Sequence, residues 1–401
     1  MRSTHVLGVM LAAMASMPVA ALANGPIKIG FPIPLSGPTA VYGVPVLKGA
    51  QLAAAEINAK GGVLGRKLEL VPRDSKANAD EAVRLAREMI IKDGVDFLVG
   101  TLTSAEAPAV STVAKENRIV FVAPTAESTL LTDPQHIHPY IFRVNTNTDV
   151  EGLAGAVEMA RLKDVKTVAT IAPDYAYGRD VVAAFVAALK KSRPDIKVID
   201  QQWPKLGEAD FTPFITAQMG KKPDAIYCAL FAGDFVTFSK QAAPLGYFKA
   251  VGNRVVDGAA VGSPDEAQAL GNDYPLGIIA NSFDPVIWAG SNEPATHKQF
   301  ITALKAATHE KYGSALSILG YEAITALAAG IEKAGSTKSD AVSKAMAGMS
   351  WDTPVGKRSF SVRSHETFAP EYWGVMVKEA AYPFAVIKDP EILPTSFPVT
   401  N

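Results

Sequence analysis

Cysteine occurs once in the 401 residues, at Cys228, which excludes an internal disulfide. Cys228 lies in the run Ala225–Leu230, which reads as a buried strand, so the thiol is expected to serve as a small core hydrophobe. Histidine is also scarce, with six in all. His136 and His138 sit close together, but with no cysteine nearby they read as an ordinary loop rather than the start of a metal site. Neither sign of charge is in excess: 39 Lys and Arg stand against 40 Asp and Glu, a net charge of −1. There is thus no basic footprint for nucleic acid and no charged patch for a membrane surface. Catalytic signatures are missing too. There is no GxSxG elbow and no HExxH. Gly61-Gly62-Val63-Leu64-Gly65 follows a helical pattern and precedes a strand, the reverse of a dinucleotide loop. Asp74 and Asp174 fall near strand ends without forming an acid–base pair. Neither an enzyme nor a cofactor is expected.

What is present is ordinary for a globular protein: 48% hydrophobic and 20% charged residues, in a length that suits one large or two ordinary domains. The first 23 residues differ from the rest. Arg2 precedes the apolar or small run Val6–Ala15, then come Pro18 and Ala21-Leu22-Ala23, the pattern of a secretory signal peptide cleaved after Ala23. No later apolar run reaches the ~18 residues of a membrane span, so an exported, soluble chain is expected.

Beyond that leader, strand and helix patterns alternate. Strands are expected at Ile27–Phe31, Lys67–Val71, Val95–Val99 and Ile119–Val122. The helices between them are Val44–Ala59, with Pro45 in its first turn, one opened by Asn78 and Glu81 and stopped by Gly94, and Ala105–Glu116. The rhythm restarts with Thr167–Ile171, Arg179–Lys191, Lys197–Gln201, Phe211–Met219, Ala225–Leu230 and Phe235–Ala243. Helices dominate 293–349 and short strands fill 358–388. This predicts an α/β protein of two similarly built lobes, with Arg143–Thr148 as one crossing between them.

Ligands of open parallel sheets sit beyond the carboxyl ends of the strands. Three loops of the first lobe draw attention there. Phe31-Pro32-Ile33-Pro34-Leu35-Ser36-Gly37-Pro38 ends its strand on prolines and then offers Ser36, Thr39 and Tyr42. Gly100-Thr101-Leu102-Thr103-Ser104 enters a helix, where free N–H groups and the Thr103 and Ser104 hydroxyls suit an anion; Ser104 serves equally well as a helix cap. Ala123-Pro124-Thr125-Ala126-Glu127-Ser128 is the third.

Together, LSGPTAVYG, KGAQLAAAEINAKGGVLGRKLEL, GTLTS, VAPTAES and APDYAYG resemble the leucine/isoleucine/valine-binding protein family, the periplasmic solute-binding proteins of ABC importers. The resemblance implies a type I periplasmic binding protein: two Rossmann-like lobes joined by three crossovers around a ligand cleft. It implies lobes of residues 24–145 with 281–352 and 146–280 with 353–401, a monomer in the periplasm, and inner-membrane permease subunits as partners. By the same resemblance Tyr42 lines the cleft, Ser104 binds a solute carboxylate, Thr125 holds an amino-acid head group through its backbone, and Tyr177 closes from the second lobe. Phe231 and Phe283 stand near the family's other aromatic positions.

The chain also departs from the family. Glu127 stands where amino-acid binders carry threonine. Asp257 is the only acid near the position of the glutamate that meets the ammonium. Glu127 or Asp257 takes that part and the solute is an amino acid. Alternatively Glu127 caps the next turn in solvent, and Tyr175, Tyr177, Phe231 and Phe283 enclose an aromatic acid. A role in presenting the solute to a sensor stays open beside transport.

Overall fold

The computed structural model describes residues 25–283, 286–287, 293–367, 369 and 371–393; the expected leader, residues 1–23, lies outside them. Short, mostly buried runs alternate with helices to give two sheets. In the first, β1 (Ile27–Ile33), β2 (Leu68–Asp74), β3 (Phe97–Val99), β4 (Phe121–Ala123) and β5 (Ile141–Arg143) are all parallel, in the order β2-β1-β3-β4-β5. The helices of this lobe are α1 (Ala40–Ala59), α2 (Ala79–Glu88) and α3 (Glu106–Asn117). Asn78 opens α2 as its sequence suggests, its side chain accepting from the Glu81 N–H at 2.9 Å.

The second sheet follows α4 (Thr148–Arg161). Its parallel strands are β6 (Thr167–Ile171), β7 (Lys197–Gln202), β8 (Ala225–Cys228), β9 (Val255–Asp257) and β10 (Ile279–Ser282). They are linked through α5 (Ala176–Ser192), α6 (Thr212–Lys221), α7 (Ala232–Ala242), α8 (Tyr247–Ala250) and α9 (Pro264–Leu270). The chain then returns to the first lobe as α10 (Ala295–Thr308), α11 (Ser317–Ala334) and α12 (Ser339–Met346), and α11 packs along α1. After the hairpin β11 (Ser350–Thr353) and β12 (Gly356–Ser359), two antiparallel strands, β13 (Tyr372–Lys378) and β14 (Ala385–Ile392), complete the order β14-β13-β10-β9-β8-β6-β7. Among the described residues no helix is long and apolar enough to cross a membrane.

The lobes exchange chain at residues 144–147, between Ser282 and Ala295, and between Ser359 and Tyr372. The first and last exchanges run side by side: Arg143 N donates to His365 O at 3.0 Å, and Thr367 N donates to Arg143 O at 3.1 Å. Boundaries at 280/281 and 352/353 would cut β10 and β11, respectively. We propose lobes of residues 25–143 with 295–359 and 148–282 with 372–393.

Two local expectations shift. β1 runs through Pro32 to Ile33 instead of stopping near Phe31. Pro32 turns its backbone toward β3, where its carbonyl accepts from Thr101 N at 3.1 Å. Its missing donor falls beyond the last β1–β3 pair, Gly30–Leu98, so no ladder bond is lost. Helix α1 begins at Ala40, not Val44, which puts Pro45 inside it rather than in its first turn. Cys228 is buried among apolar side chains at the end of β8.

Candidate functional site

In each sheet the strand order reverses next to a particular pair of strands, and the loops leaving those strands diverge to open a crevice. In the first sheet the pair is β1 and β3, in the second β6 and β8. The two crevices face each other. Between them lies a cleft of about 400 Å³, walled by Tyr42 from α1, Leu102 and Ser104 after β3, and Thr125 and Glu127 after β4. The second lobe adds Tyr175 and Tyr177 after β6, Phe231 after β8 and Ala259 after β9; Phe283 and Leu316 complete the wall.

The lobes touch across the cleft. Tyr42 Oη donates to Ala259 O at 3.0 Å, Ser314 Oγ donates to Asp265 Oδ2 at 2.9 Å, and Ser128 Oγ donates to Asp180. Tyr42 stacks on Phe231 at 5.8 Å between centroids, and Tyr177 meets Phe231 edge-on at 5.6 Å. Such aromatic pairs add about 0.5–1.5 kcal/mol each beyond the area they bury.

The polar wall is built by the loops after β3 and β4. Thr103 and Glu106 form a capping box: Glu106 N donates to Thr103 Oγ1 at 3.2 Å, and Thr103 N donates to Glu106 Oε2 at 3.0 Å. Thr103 therefore does the capping and is turned from the cleft, which leaves Ser104 free to face it. Ser104 Oγ accepts from Glu127 N at 3.2 Å and Ser128 N at 3.0 Å, and its own proton remains to be donated. Thr125 Oγ1 donates to the carbonyls of Thr101 and Leu102 at 3.0 and 2.9 Å, tying the two loops together.

Glu127 is 5% exposed, so it is not a solvated cap. Its Oε1 accepts from Asn145 Nδ2 at 2.7 Å, and burial pushes its carboxyl above the usual range despite that bond and nearby Arg143. Arg143 itself is fully buried and donates to the carbonyls of Glu127 and Ser128 at 3.1 and 2.8 Å, and to Glu366.

Seven of the nine residues singled out in the sequence thus meet in one wall: Tyr42, Ser104, Thr125, Glu127, Tyr177, Phe231 and Phe283. Thr103 does not, for the reason given. Asp257 does not either. It ends β9 with its carboxyl turned into the second lobe, accepting from Ala259 N at 2.9 Å beside Cys228, and burial pushes it up to about 8. A second-lobe acid that does approach the site is Glu151 of α4, which accepts from Tyr177 Oη at 2.7 Å. In the sequence it looks like any acid in the first turn of a helix, where the macrodipole favours one. Thr103-x-x-Glu106 was a legible sign that Ser104 need not cap. His138 and His136 are held by Ser111 and Asp133, and among the described residues no cluster suited to a metal ion occurs.

A sequence profile described as periplasmic binding protein matches residues 26–381. The Leu/Ile/Val-binding protein BraC3 of Rhizobium johnstonii is 32% identical over 350 residues, which are 86% of this chain and 90% of that protein. In fold, the chain is similar to a solute-binding protein of an ABC transporter from Rhodopseudomonas palustris BisB5, solved with 3,4-dihydroxybenzoic acid. The TM-score is 0.80 at 24% identity, covering 91% of this chain and 97% of that one. It is similar also to the branched-chain amino acid transporter substrate-binding protein LivJ of Streptococcus pneumoniae, solved with isoleucine. There the TM-score is 0.76 at 23% identity, covering 92% and 99%.

Proposed function

Since the chain belongs to the periplasmic binding protein family, we propose that it captures a small α-amino acid with an apolar side chain and hands it to the permease of an ABC importer in the inner membrane. The protein acts as a monomer, by closure of its two lobes around the solute. The observation that carries this reading is the placement of Glu127. Its buried carboxyl lies in the same wall as Ser104, whose hydroxyl bonds the Glu127 backbone N–H. An anion donor and a cation acceptor are thus neighbours, as the carboxylate and ammonium of an α-amino acid are. A buried ammonium without a partner would cost several kcal/mol. Leu102, Leu316, Tyr42, Phe231 and Phe283 offer the apolar surface for a leucine-like side chain. Affinity is expected near micromolar, about −8 kcal/mol.

The aromatic density of the second-lobe wall supports a second reading, an aromatic acid of the kind bound by the Rhodopseudomonas protein. A thermal-shift screen of the protein against amino acids and against benzoate-like acids separates the two, because a solute that binds only the folded state raises the midpoint by mass action. Leucine or isoleucine is expected to raise it. A rise with benzoates alone would replace the first reading by the second.

Ser104→Ala tests the anion side under either reading. Losing a hydrogen bond to a charged group costs about 1.5–3 kcal/mol of affinity, readable by calorimetric titration. Unchanged affinity would remove Ser104 from the site.

A further inference from the structure

Glu127 and Glu151 come from opposite lobes and meet around Tyr177: Glu127 lines the cleft beside Tyr177, whose Oη donates to Glu151 Oε1 at 2.7 Å. They are 5% and 0% exposed, respectively. Two carboxylates so placed resist being ionised together. Asn145 donates to Glu127 and Tyr177 donates to Glu151, yet Glu151 Oε2 is buried and has no hydrogen-bond partner among the described residues.

Among the described residues, the ionisable groups around the pair are one arginine and otherwise acids and phenols. From β5 comes Arg143, already paired with Glu366. The segment entering β13 brings a third buried carboxyl, Glu371, which accepts from Trp373 Nε1 at 2.9 Å and Asn281 Nδ2 at 3.3 Å. From β8 comes the Tyr227 hydroxyl, with Asp257 of β9 near it, and α5 and its leading loop contribute Tyr177 and Tyr175. The pair also lies at the hinge. Thr148 N, which opens α4, donates to Glu127 O at 3.0 Å, and Glu151 is one turn farther on. Rotation of the lobes about the crossing moves such atoms least, so the two groups stay near each other whether the cleft is open or closed.

We propose that Glu127 and Glu151 form a seat for one cation, filled by a proton in the empty protein and by the ammonium group of the solute in the complex. The inference rests on the amino-acid reading above. When the solute enters, the shared O–H bond breaks and its proton leaves to solvent. The two carboxylates then keep the negative charge that the ammonium balances, so charge is conserved. Binding of an ammonium-bearing solute therefore strengthens as pH rises through the titration of the pair. A solute without an ammonium releases no proton.

The test is calorimetric titration of the protein with L-leucine in phosphate and in Tris at one pH near neutrality. The difference in heat, scaled by the difference in buffer ionisation enthalpy, counts protons. About one proton released per leucine is expected for the wild type. Glu151→Gln, which keeps the side-chain size, is expected to bind leucine more weakly and, titrated to saturation, to release close to none. Leucine binding with buffer-independent heat in the wild type would overturn the proposal. Should benzoate bind and leucine fail to, the amino-acid reading falls, and the pair is judged on the unliganded protein. In the infrared difference spectrum of wild type minus Glu151→Gln, one buried protonated carboxyl stretch is expected beyond those that other buried carboxyls such as Asp257 keep in both proteins, and it supports the shared proton. A difference spectrum without that band overturns it.

Discussion

Replacing Glu127 by glutamine is expected to weaken binding of L-leucine by roughly 10²- to 10³-fold. Removing one member of a buried charge pair costs about 3–5 kcal/mol, because the other is left uncompensated, and every 1.4 kcal/mol is about tenfold in affinity. Here the ammonium of the solute loses the carboxylate that lines the cleft and keeps only Glu151, held behind Tyr177. The substitution is close to isosteric, and the amide oxygen still accepts from Asn145, so the fold has no reason to suffer. It even relieves the desolvation of a carboxyl that burial already disfavours. The unliganded protein should therefore unfold at no lower a temperature than the wild type. Titration calorimetry and a melting curve decide the matter together. Full affinity for leucine in Glu127→Gln would show that the ammonium lies elsewhere. A lowered midpoint would mean that the carboxyl serves the fold rather than the solute.

The sequence carried the local part of this site and not its depth. The loops after β1, β3 and β4 were legible because turn residues and hydroxyls interrupt apolar runs at strand ends, and the chain places them at the point where strand order reverses. The strand Thr167–Ile171 and the cap at Asn78 stand where their residues indicate, since branched apolar runs and an Asn–Glu cap are local signals. Glu151 was not legible. It sits in a helix buried at most positions from Thr148 to Met159, in a first turn where an acid is unremarkable. Only the packing of the second lobe against the hinge turns it toward Glu127. Asp257 misled for the complementary reason: in β9 the residues Val255, Val256 and Asp257 are all buried. Burial on both faces of the strand gives no alternation from which to read which way Asp257 points. The start of α1 was missed because Pro45 is read as a first-turn residue, whereas the helix already begins in the turn made by Gly37 to Ala40.

The largest effect on stability is expected at a contact with no polar chemistry. Helices α1 and α11 cross where Gly49 and Gly320 let the two backbones meet. A Cβ at Gly320 would stand 1.8 Å from Val46 O, and one at Gly49 would stand 1.7 Å from Ser317 O. No rotamer change relieves a clash with a carbonyl, so the helices must move apart. Overpacking of a core costs about 1–3 kcal/mol and occasionally more; with backbone on the opposing side, Gly320→Ala is expected at or above about 3 kcal/mol in urea unfolding. Gly330→Ala is the control. Its Cβ would meet the Met346 side chain at 2.4 Å, and a flexible thioether can swing aside, so a smaller loss is expected. Gly49→Ala with Gly320→Ala should cost less than the sum of the two, because the first substitution already separates the helices that the second would push. The consequence reaches the cleft. Tyr42 lies in the first turn of α1 and Leu316 immediately precedes α11, so a wider crossing shifts both from the pocket wall. Gly320→Ala should thus lose solute affinity as well as stability. An unchanged urea midpoint would mean that the two helices do not pack this closely.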